Sequence, residues 1–408
     1  MILDYFRFSI STFGGRKLRT ALTILGIFIG IAAVVSLISL GQGMQNAVDE
    51  QFEMLGSNRI TVTPGGGDMS SPMTTGLVAA KLSDHDVEVI RKVKGVDHAI
   101  GVLVRTAKIE YRGKSRYTML FASSTDSKSI KFIENIDYFM LEEGRYPKES
   151  EKYKASVAID TGNSLFDREI KRGEKITVND RNLEVIAITK KTGNPVHDTK
   201  VTVPLDTARD LFGIEDEELS LIFVETSAGF MPADVAENIE DALRKDHRVK
   251  IGEEDFTVAT AEQLIASFKG MLGMVQVFLV GIAFISLLVG GVGIMNTMYT
   301  SVLERTREIG IMKSIGARNI DVMAIFVIES GLLGLVGGVV GVVMGYAIGK
   351  AAEMIAVASG ATILKVFYSA ELIIGALLFS FVIGSLSGMF PAIEASRKNP
   401  VDSLRYRR

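Results

Sequence analysis

The residue types that most often do chemistry are sparse and scattered in this sequence. The 408 residues contain no cysteine, which excludes disulfides and thiolate metal sites. The four histidines, His85, His98, His197 and His247, show no metal-ligand spacing such as H-E-x-x-H, and we expect ordinary surface or loop residues. Neither G-x-S-x-G nor H-R-D occurs, and the acidic residues lie in charged, solvated stretches. The sequence therefore predicts no metal site and no enzyme active site.

The pattern of a nucleotide-binding loop does not occur in these residues either. G-x-x-x-x-G-K-[ST] has no match, and Gly65-Gly66-Gly67 lacks the following lysine and helix that a phosphate cradle needs. We expect no cofactor in this chain. If ATP drives the protein, another chain binds the ATP and Mg²⁺.

The stretch ERTREIGIMKSIGA, residues 304–317, places five charged side chains directly after an apolar segment. On a helix, Glu304 and Glu308 lie one turn apart, and so do Arg307 and Ile311. An amphipathic segment lying on lipid head groups is one interpretation, but it usually carries an excess of basic residues. Mixed charge beside apolar residues favours docking in a cleft of a protein partner.

The same helix has an apolar side and a defined end. Ile309, Met312 and Ile315 recur at helical spacing and form the apolar side. Gly316 follows at a position that suits the C′ residue of a helix.

Four apolar stretches are each long enough to cross a bilayer, for which about 20 residues are needed. They run from about 21 to 40, 271 to 299, 322 to 348 and 372 to 391. A hydropathy of +0.27 averaged over the chain agrees with membrane spans combined with a large polar part. The first stretch exceeds the usual apolar region of a secretory signal and lacks an A-x-A-like site, which favours an uncleaved anchor.

Charge predicts how the spans are oriented. Residues 1–20 contain four basic and one acidic side chain, residues 300–321 contain four and three, and residues 396–408 contain five and one. The positive-inside rule then places both termini and the 300–321 loop in the cytoplasm. Residues 41–270, with 39 acidic and 30 basic side chains, lie outside. Glu329 is an acid within the third span, and the pattern leaves open a functional role or a simple capping role.

Small residues recur every four positions in the third and fourth spans. This spacing stacks them on one helical face, so that another helix can approach closely. The predicted packing residues are Gly334, Gly337, Gly338, Gly341, Gly345, Gly384 and Gly388.

The pattern of the outer segment predicts an α+β domain that is flanked by two stalk helices. Short Val-, Ile- and Thr-rich segments indicate strands, helical periods occur at about 83–94 and 232–247, and an all-β insertion is expected at about 111–220. A Gly-, Ser- and Met-rich stretch at 63–76 is predicted to be a flexible loop. Apolar stripes of helical period flank the domain and predict stalk helices that meet, with Met44, Val48 and Phe52 on one and Leu264 and Phe268 on the other.

Several motifs in order resemble one family. The 304–317 string, of the form E-h-T-R-E-I-G-h-h-K-S-I-G-A, resembles the signature between the second and third spans of permeases related to the MacB macrolide exporter, the lipoprotein-releasing permeases and FtsX. FRFSISTFGGRKLRTALTILGIFIG at the start and EEGRYPKES, VAIDTGNSLF and IKRGEKITVNDRNLEVIAI in the middle are similar to the same family. The closing motif resembles the C-terminal ending of these permeases at Pro391, Ala392, Ala395, Pro400, Leu404 and Arg405.

The resemblance implies a permease subunit of an ABC-type transporter without a fused ATPase. Two copies of a separate ATPase, a permease homodimer, membrane lipid and an outer adaptor or substrate protein are the implied partners, with no nucleic acid. ATP hydrolysis would move the outer domain by mechanotransmission and export or extrude a peptide, lipid, lipoprotein or drug-like substrate. The alternative is FtsX-like signalling to an outer cell-wall hydrolase or a sensor.

The resemblance also implies that residues 304–317 form a coupling helix that docks on the ATPase. Ile311 and Ile315 are expected to be buried in that contact. The residues predicted to take part are Glu304, Arg305, Arg307, Glu308, Ile311, Lys313, Ile315 and Gly316.

Taken together, the sequence predicts a cell-membrane protein with four transmembrane helices and an extracytoplasmic α+β domain. The predicted segments are an N-terminal amphipathic helix (1–17), the first span and its stalk (18–56), the MacB-like core domain (57–260) with its β-rich insertion (about 111–220), the second stalk and span (261–299), the coupling-helix loop (300–320), the third span (321–350), a short outer loop (351–370), the fourth span (371–395) and a basic cytoplasmic tail (396–408).

Overall fold

The structure is a computed structural model that describes residues 17–53, 56, 58–65, 81–136, 139–214, 217–362 and 365–405. The predicted N-terminal amphipathic helix and most of the predicted 63–76 loop lie outside these residues. The chain divides into two compact units, a helical unit (1–44, 272–355 and 365–408) and a sheet unit (45–271 and 356–364).

The described residues form twelve helices and twelve strands. In chain order they are α1 (Lys17–Glu53), β1 (Arg59–Pro64), β2 (Leu82–Ser83), α2 (Asp84–Arg91), β3 (Val96–Tyr111), β4 (Lys114–Ser123), α3 (Ser127–Glu134), β5 (Leu141–Gly144), β6 (Lys154–Ala158), α4 (Thr161–Phe166), β7 (Lys175–Val178), β8 (Arg181–Thr189), α5 (Pro195–Asp198), β9 (Val201–Pro204), α6 (Leu205–Phe212), β10 (Glu218–Leu219), β11 (Leu221–Thr226), α7 (Pro232–His247), β12 (Phe256–Thr260), α8 (Ala261–Glu304), α9 (Thr306–Ser314), α10 (Asn319–Ala358), α11 (Ala370–Ser396) and α12 (Pro400–Arg405).

Four helices are long and apolar enough to cross a membrane, as the sequence predicted. They are α1, α8, α10 and α11, and the most apolar windows of the four have mean hydropathies between 2.1 and 2.6. A backbone in lipid must satisfy its own hydrogen bonds, which the helical conformation does. All four helices exceed the length of a span, since α1 has 37 residues, α8 has 44, α10 has 40 and α11 has 27.

Glycines bring the helices of the helical unit into close contact. A Cβ atom built on Gly334 of α10 would lie 2.3 Å from the carbonyl oxygen of Ser380 and 3.0 Å from the Cα atom of Gly384, both on α11. On the next turns of α10, Gly341 and Gly345 lie against α1 instead of α11. The glycine face of α10 therefore contacts two different helices.

The remaining predicted glycines lie on the same faces. Gly337 is buried, Gly338 lies against Ser380, and Gly388 lies against Ser330. One further close contact lies outside the predicted packing residues and joins Gly26 of α1 to Gly290 of α8. A Cβ atom built on Gly26 would lie 2.7 Å from the Cα atom of Gly290.

The sheet unit is built on one ten-stranded mixed sheet. Its strand order is β12-β1-β11-β3-β4-β9-β6-β8-β5, with β7 paired to β3 and β8, while β10 and β2 form a separate two-stranded sheet. β3 is long enough to pair with β11 through its first half and with β4 through its second. Most pairs are antiparallel, but β4 with β9 and β6 with β8 are parallel.

Two hydrophobic clusters stabilise this sheet. The larger cluster includes Val87 and Ile90 of α2, Ile239 and Leu243 of α7, and inward-facing strand residues such as Ile60. A smaller cluster places Phe132 and Ile133 of α3 with Ile100, Val102, Ile136 and Phe139.

The segment 111–220 differs from the predicted all-β insertion. It contains the helices α3, α4, α5 and α6, and its strands, apart from β10, belong to the same sheet as β1, β3, β11 and β12. These helices are only four to eight residues long, too short for an apolar repeat to reveal them.

The ends of α1 and α8 that belong to the sheet unit lie beside each other. The rings of Phe52 and Phe268 are 6.0 Å apart, and Lys269 Nζ lies 2.8 Å from Asp49 Oδ1. Val48 and Leu264 are partly buried on the same two helical segments. Met44, which belongs to the helical unit, is 39% exposed.

Candidate functional site

The residues predicted to contact the ATPase lie in and around α9, a short helix that is separate from α8. The chain leaves the helical conformation of α8 at Arg305, whose φ and ψ are −100° and 14°. The hydroxyl of Thr306 donates to the carbonyl oxygens of Val302 and Leu303. Because the helix is interrupted here, Arg305 does not follow the periodicity of α9.

The end of α9 has the geometry predicted from Gly316. The amide of Gly316 donates to the carbonyl of Lys313, and the amide of Ala317 donates to the carbonyl of Met312, which is the Schellman pattern. Gly316 has a φ of +105°, a conformation that side chains with a Cβ atom rarely adopt.

One face of α9 is buried against the helical unit. Ile309 is fully buried and belongs to a cluster that includes Val322 and Phe326 of α10 and Ala395 of α11. α9 also packs against α12. The predicted apolar side is therefore divided, since Ile309 faces inward whereas Ile315 does not.

The opposite side of α9 combines charged and apolar side chains in the open. Ile311 is 48% exposed and Ile315 is 82% exposed. We call this surface the exposed face of α9. It consists of Arg307, Glu308 and Ile311 of α9 together with the flanking residues Glu304 and Ile315.

Arg305 points into the protein, in contrast to its predicted contact with a partner. Only 9% of the residue is exposed. Its Nη1 atom donates to Oε2 of Glu329 at 2.9 Å, and its Nε atom donates to Oε2 of Glu308 at 3.0 Å. The guanidinium carbon also lies 5.4 Å from the centre of the Phe326 ring. Two of its nitrogen atoms thus donate within this chain, and Glu329, whose role the sequence leaves open, pairs with Arg305.

Lys313 is also engaged within the chain. Its ammonium group donates to the carbonyl oxygens of Ser396 and Lys398 at 2.7 and 2.9 Å, where α11 ends. The last carbonyls of a helix lack partners within it, and a positive charge there is favourable. Lys313 therefore joins α9 to the end of the fourth span.

One histidine of the sheet unit differs from the prediction of ordinary surface or loop residues. His247 Nε2 lies 2.9 Å from Asp86 Oδ1, and His247 Nδ1 lies 2.7 Å from Asp255 Oδ1. Partial burial lowers the pKa of His247, but the hydrogen bonds and charges of the two aspartates outweigh burial and raise this pKa overall.

His247 also belongs to a group that could hold a metal ion by geometry. One ligand atom each from Asp86, Asp246 and His247 lies within 4.8 Å of the others. Both ring nitrogens of His247 already meet carboxylates, so the contacts join α2, α7 and the start of β12 without an ion. The other histidines differ in burial, since His85 is exposed whereas His98 and His197 are partly buried. Burial lowers the pKa of His197 to about 3.

Two family models match the chain over separate regions. The MacB-like periplasmic core domain matches residues 20–242, and the FtsX-like permease C-terminal domain matches residues 280–400. A relative described as an uncharacterized ABC transporter permease, MJ1507 of Methanocaldococcus jannaschii, is 39% identical over 98% of each chain. This chain belongs to the MacB- and FtsX-like family of ABC transporter permeases.

Two further relatives differ in length, since one is as long as this chain and the other is longer. The uncharacterized ABC transporter permease YknZ of Bacillus subtilis is 28% identical over 99% of both chains. The macrolide export ATP-binding/permease protein MacB of Bdellovibrio bacteriovorus is 30% identical over 99% of this chain but only 62% of its own length. Among solved structures, the periplasmic region of MacB from Actinobacillus actinomycetemcomitans aligns with a TM-score of 0.44 at 14% identity, over 54% of this chain and 97% of that one.

The family assignment confirms the family that the sequence motifs resembled, and it confirms that this chain is a membrane permease. The permease combines four apolar helices with an α/β domain of the kind described as periplasmic. The coupling residues themselves remain predictions, which the contacts around α9 now refine.

Proposed function

We propose that the permease receives the energy of ATP hydrolysis from a separate ATPase subunit through the exposed face of α9. The observation that carries this proposal is the division of α9 into two sides. One side is buried among α10, α11 and α12, and the other presents Glu304, Arg307 and Glu308 beside Ile311 and Ile315. Mixed charges fix the register of a docked partner, while apolar side chains provide area to bury.

The contacts revise which side chains meet the ATPase. Arg305 and Lys313 were predicted to do so, but both donate within the permease. We now assign them to holding α9 in place. Glu304, Arg307, Glu308, Ile311 and Ile315 remain as the docking residues, and Gly316 ends the helix.

The proposed output is movement of the outer domain. α8 begins at Ala261, directly after β12, and continues without interruption to Glu304, next to α9. At 1.5 Å per residue its 44 residues extend about 65 Å, more than the thickness of a bilayer. Mechanotransmission along such a helix needs no path for substrate through the spans. The contacts of Phe52 with Phe268 and of Asp49 with Lys269 support paired stalks at the other end.

The assembly that we propose follows from this role. Two ATPase copies would bind a permease homodimer in the cell membrane, with both termini and α9 in the cytoplasm and residues of about 41–270 outside. An outer adaptor or substrate protein would meet the outer domain. The exported substrate would be a peptide, a lipid or lipoprotein, or a drug-like molecule.

Charge reversal on α9 tests the docking proposal. The double variant Arg307→Glu with Glu308→Arg should lose at least 90% of the ATPase that copurifies with the permease, because two of the three charges that set the register change sign. Membrane insertion should be unchanged. The matched control is Lys114→Asp with Asp167→Lys, which reverses an exposed ion pair of the sheet unit. ATPase binding at the native level in the α9 variant would refute the proposal.

A further inference from the structure

A short series of charged contacts leads from the exposed face of α9 into the helical unit. Glu308, whose side chain is 58% exposed, accepts from Arg305 Nε, and Arg305 Nη1 in turn donates to Glu329. The side chains of Arg305 and Glu329 are only 10% and 9% exposed. The first contact is at the surface and the second is inside, and one guanidinium group makes both.

These contacts join elements that are distant along the chain. Arg305 lies between α8 and α9, whereas Glu329 lies 24 residues later in α10. Phe326, three residues before Glu329 on α10, presents its ring to the same guanidinium group. Arg305 is therefore held by two side chains of the third span at once.

A buried ion pair resists separation more strongly than an apolar contact does. Removing one partner leaves an uncompensated charge in a low-dielectric environment, whereas apolar side chains such as Ile309 can slide over one another with little change in burial. Arg305 and α10 are therefore expected to move together when α9 is displaced. The Lys313 contacts provide a similar connection to the end of α11.

We infer that Arg305 and Glu329 are positioning residues that pass a displacement of α9 to the third span. This inference rests on the proposed function, since it takes α9 to be the ATPase docking helix. It assigns a role in transmission, distinct from docking, to an ion pair inside the permease. Glu308 connects the two roles, because it lies on the exposed face and also accepts from Arg305.

The absence of cysteine from the chain allows a direct test by paired spin labels. Met274→Cys on α8 and Met354→Cys on α10 replace side chains that are 68% and 65% exposed, at sites away from the docking residues. The distance between the labels is measured in the complex with the copurified ATPase, with ATP and Mg²⁺ and again with ADP. In the otherwise native permease we expect a nucleotide-dependent shift of this distance.

Variants at Glu329 separate transmission from docking. Glu329→Gln keeps the shape but removes the charge, and it should reduce the nucleotide-dependent shift at least fivefold while the amount of bound ATPase stays within twofold of native. Glu329→Asp restores the charge and should recover at least half of the shift. Arg305→Lys keeps a cation but loses the two-pronged guanidinium, so an intermediate shift is expected. Asp321→Asn, which removes an ion pair between the first turn of α10 and Arg318 just before this helix, is the matched control and should leave the shift at its native size.

The outcomes distinguish this inference from the proposed function. A native permease that retains no ATPase refutes the proposed function. If the native complex shows a nucleotide-dependent shift and the shift in Glu329→Gln lies within twofold of the native one, only the transmission role is refuted. Loss of ATPase binding in Glu329→Gln and Arg305→Lys, with native elution from size exclusion, also refutes transmission, because the pair would then shape the docking surface.

Discussion

The close approach of α10 and α11 at Gly334 predicts a strong effect of adding one methyl group. In Gly334→Ala the new Cβ atom would lie 2.3 Å from the carbonyl oxygen of Ser380. Comfortable contacts between such atoms are about 3.5 Å, so the two backbones must separate by about 1 Å. The carbonyl oxygen belongs to the backbone and the Cβ atom is bonded to it directly at Cα. Neither atom can move aside as the end of a flexible side chain can.

The expected change in the stability of Gly334→Ala follows from two opposing effects. Alanine is favoured over glycine in a helix by up to about 1 kcal/mol, whereas overpacking of a tight interior costs about 1–3 kcal/mol. The control is Gly375→Ala on α11, where a new Cβ atom has no described neighbour within 4 Å and only the first term applies. Gly334→Ala should therefore be less stable than Gly375→Ala by about 1–3 kcal/mol.

The assay compares unfolding of the two variants in mixed detergent micelles. The chain has no tryptophan, so circular dichroism at increasing fractions of sodium dodecyl sulfate is a suitable signal. The midpoint for Gly334→Ala should fall below that of native protein, and the midpoint for Gly375→Ala should not. Equal midpoints for the two variants would show that the helices are not in the close contact described.

Two further predictions concern charged contacts. Lys313→Met should lower the thermal stability of the permease by about 1–3 kcal/mol, because two carbonyl groups at the end of α11 lose a charged donor, and circular dichroism on heating measures this loss. The second concerns His247, whose pKa Asp86 and Asp255 raise in the folded state against the effect of burial. The stabilisation from a raised pKa is fully present below the ordinary value for histidine and is lost as the pH rises through the folded-state value. The melting temperature of His247→Gln should therefore fall furthest below native at pH 5.5, and the gap should shrink towards pH 9; a gap that grows with pH would contradict this pairing.

Much of the membrane architecture follows from the sequence because lipid imposes simple rules. Four apolar runs of sufficient length predict four helices, and the structure contains them. Gly316 was recognisable as a helix end because few other residues tolerate its positive φ. Spacing of small residues predicted faces for close packing, but it could not show that Gly334 meets α11 while Gly341 meets α1.

The direction of Arg305 could not be predicted from periodicity. The sequence pattern treats residues 304–317 as one helix, in which Arg305 would be one more polar side chain. The structure interrupts the helix at this residue and so turns its side chain towards Glu329. The partner lies 24 residues away, and no local pattern specifies such a contact. The same limit explains His247, whose aspartate partners lie on α2 and just before β12.

The uninterrupted helix α8 has a consequence for how this chain can vary. In a helix of 3.6 residues per turn, inserting one residue rotates everything beyond it by about 100° and advances it by about 1.5 Å. A loop absorbs such an insertion, but a continuous rod would misalign whatever is attached at its two ends. We therefore expect the segment from Ala261 to Glu304 to tolerate substitutions far better than insertions or deletions.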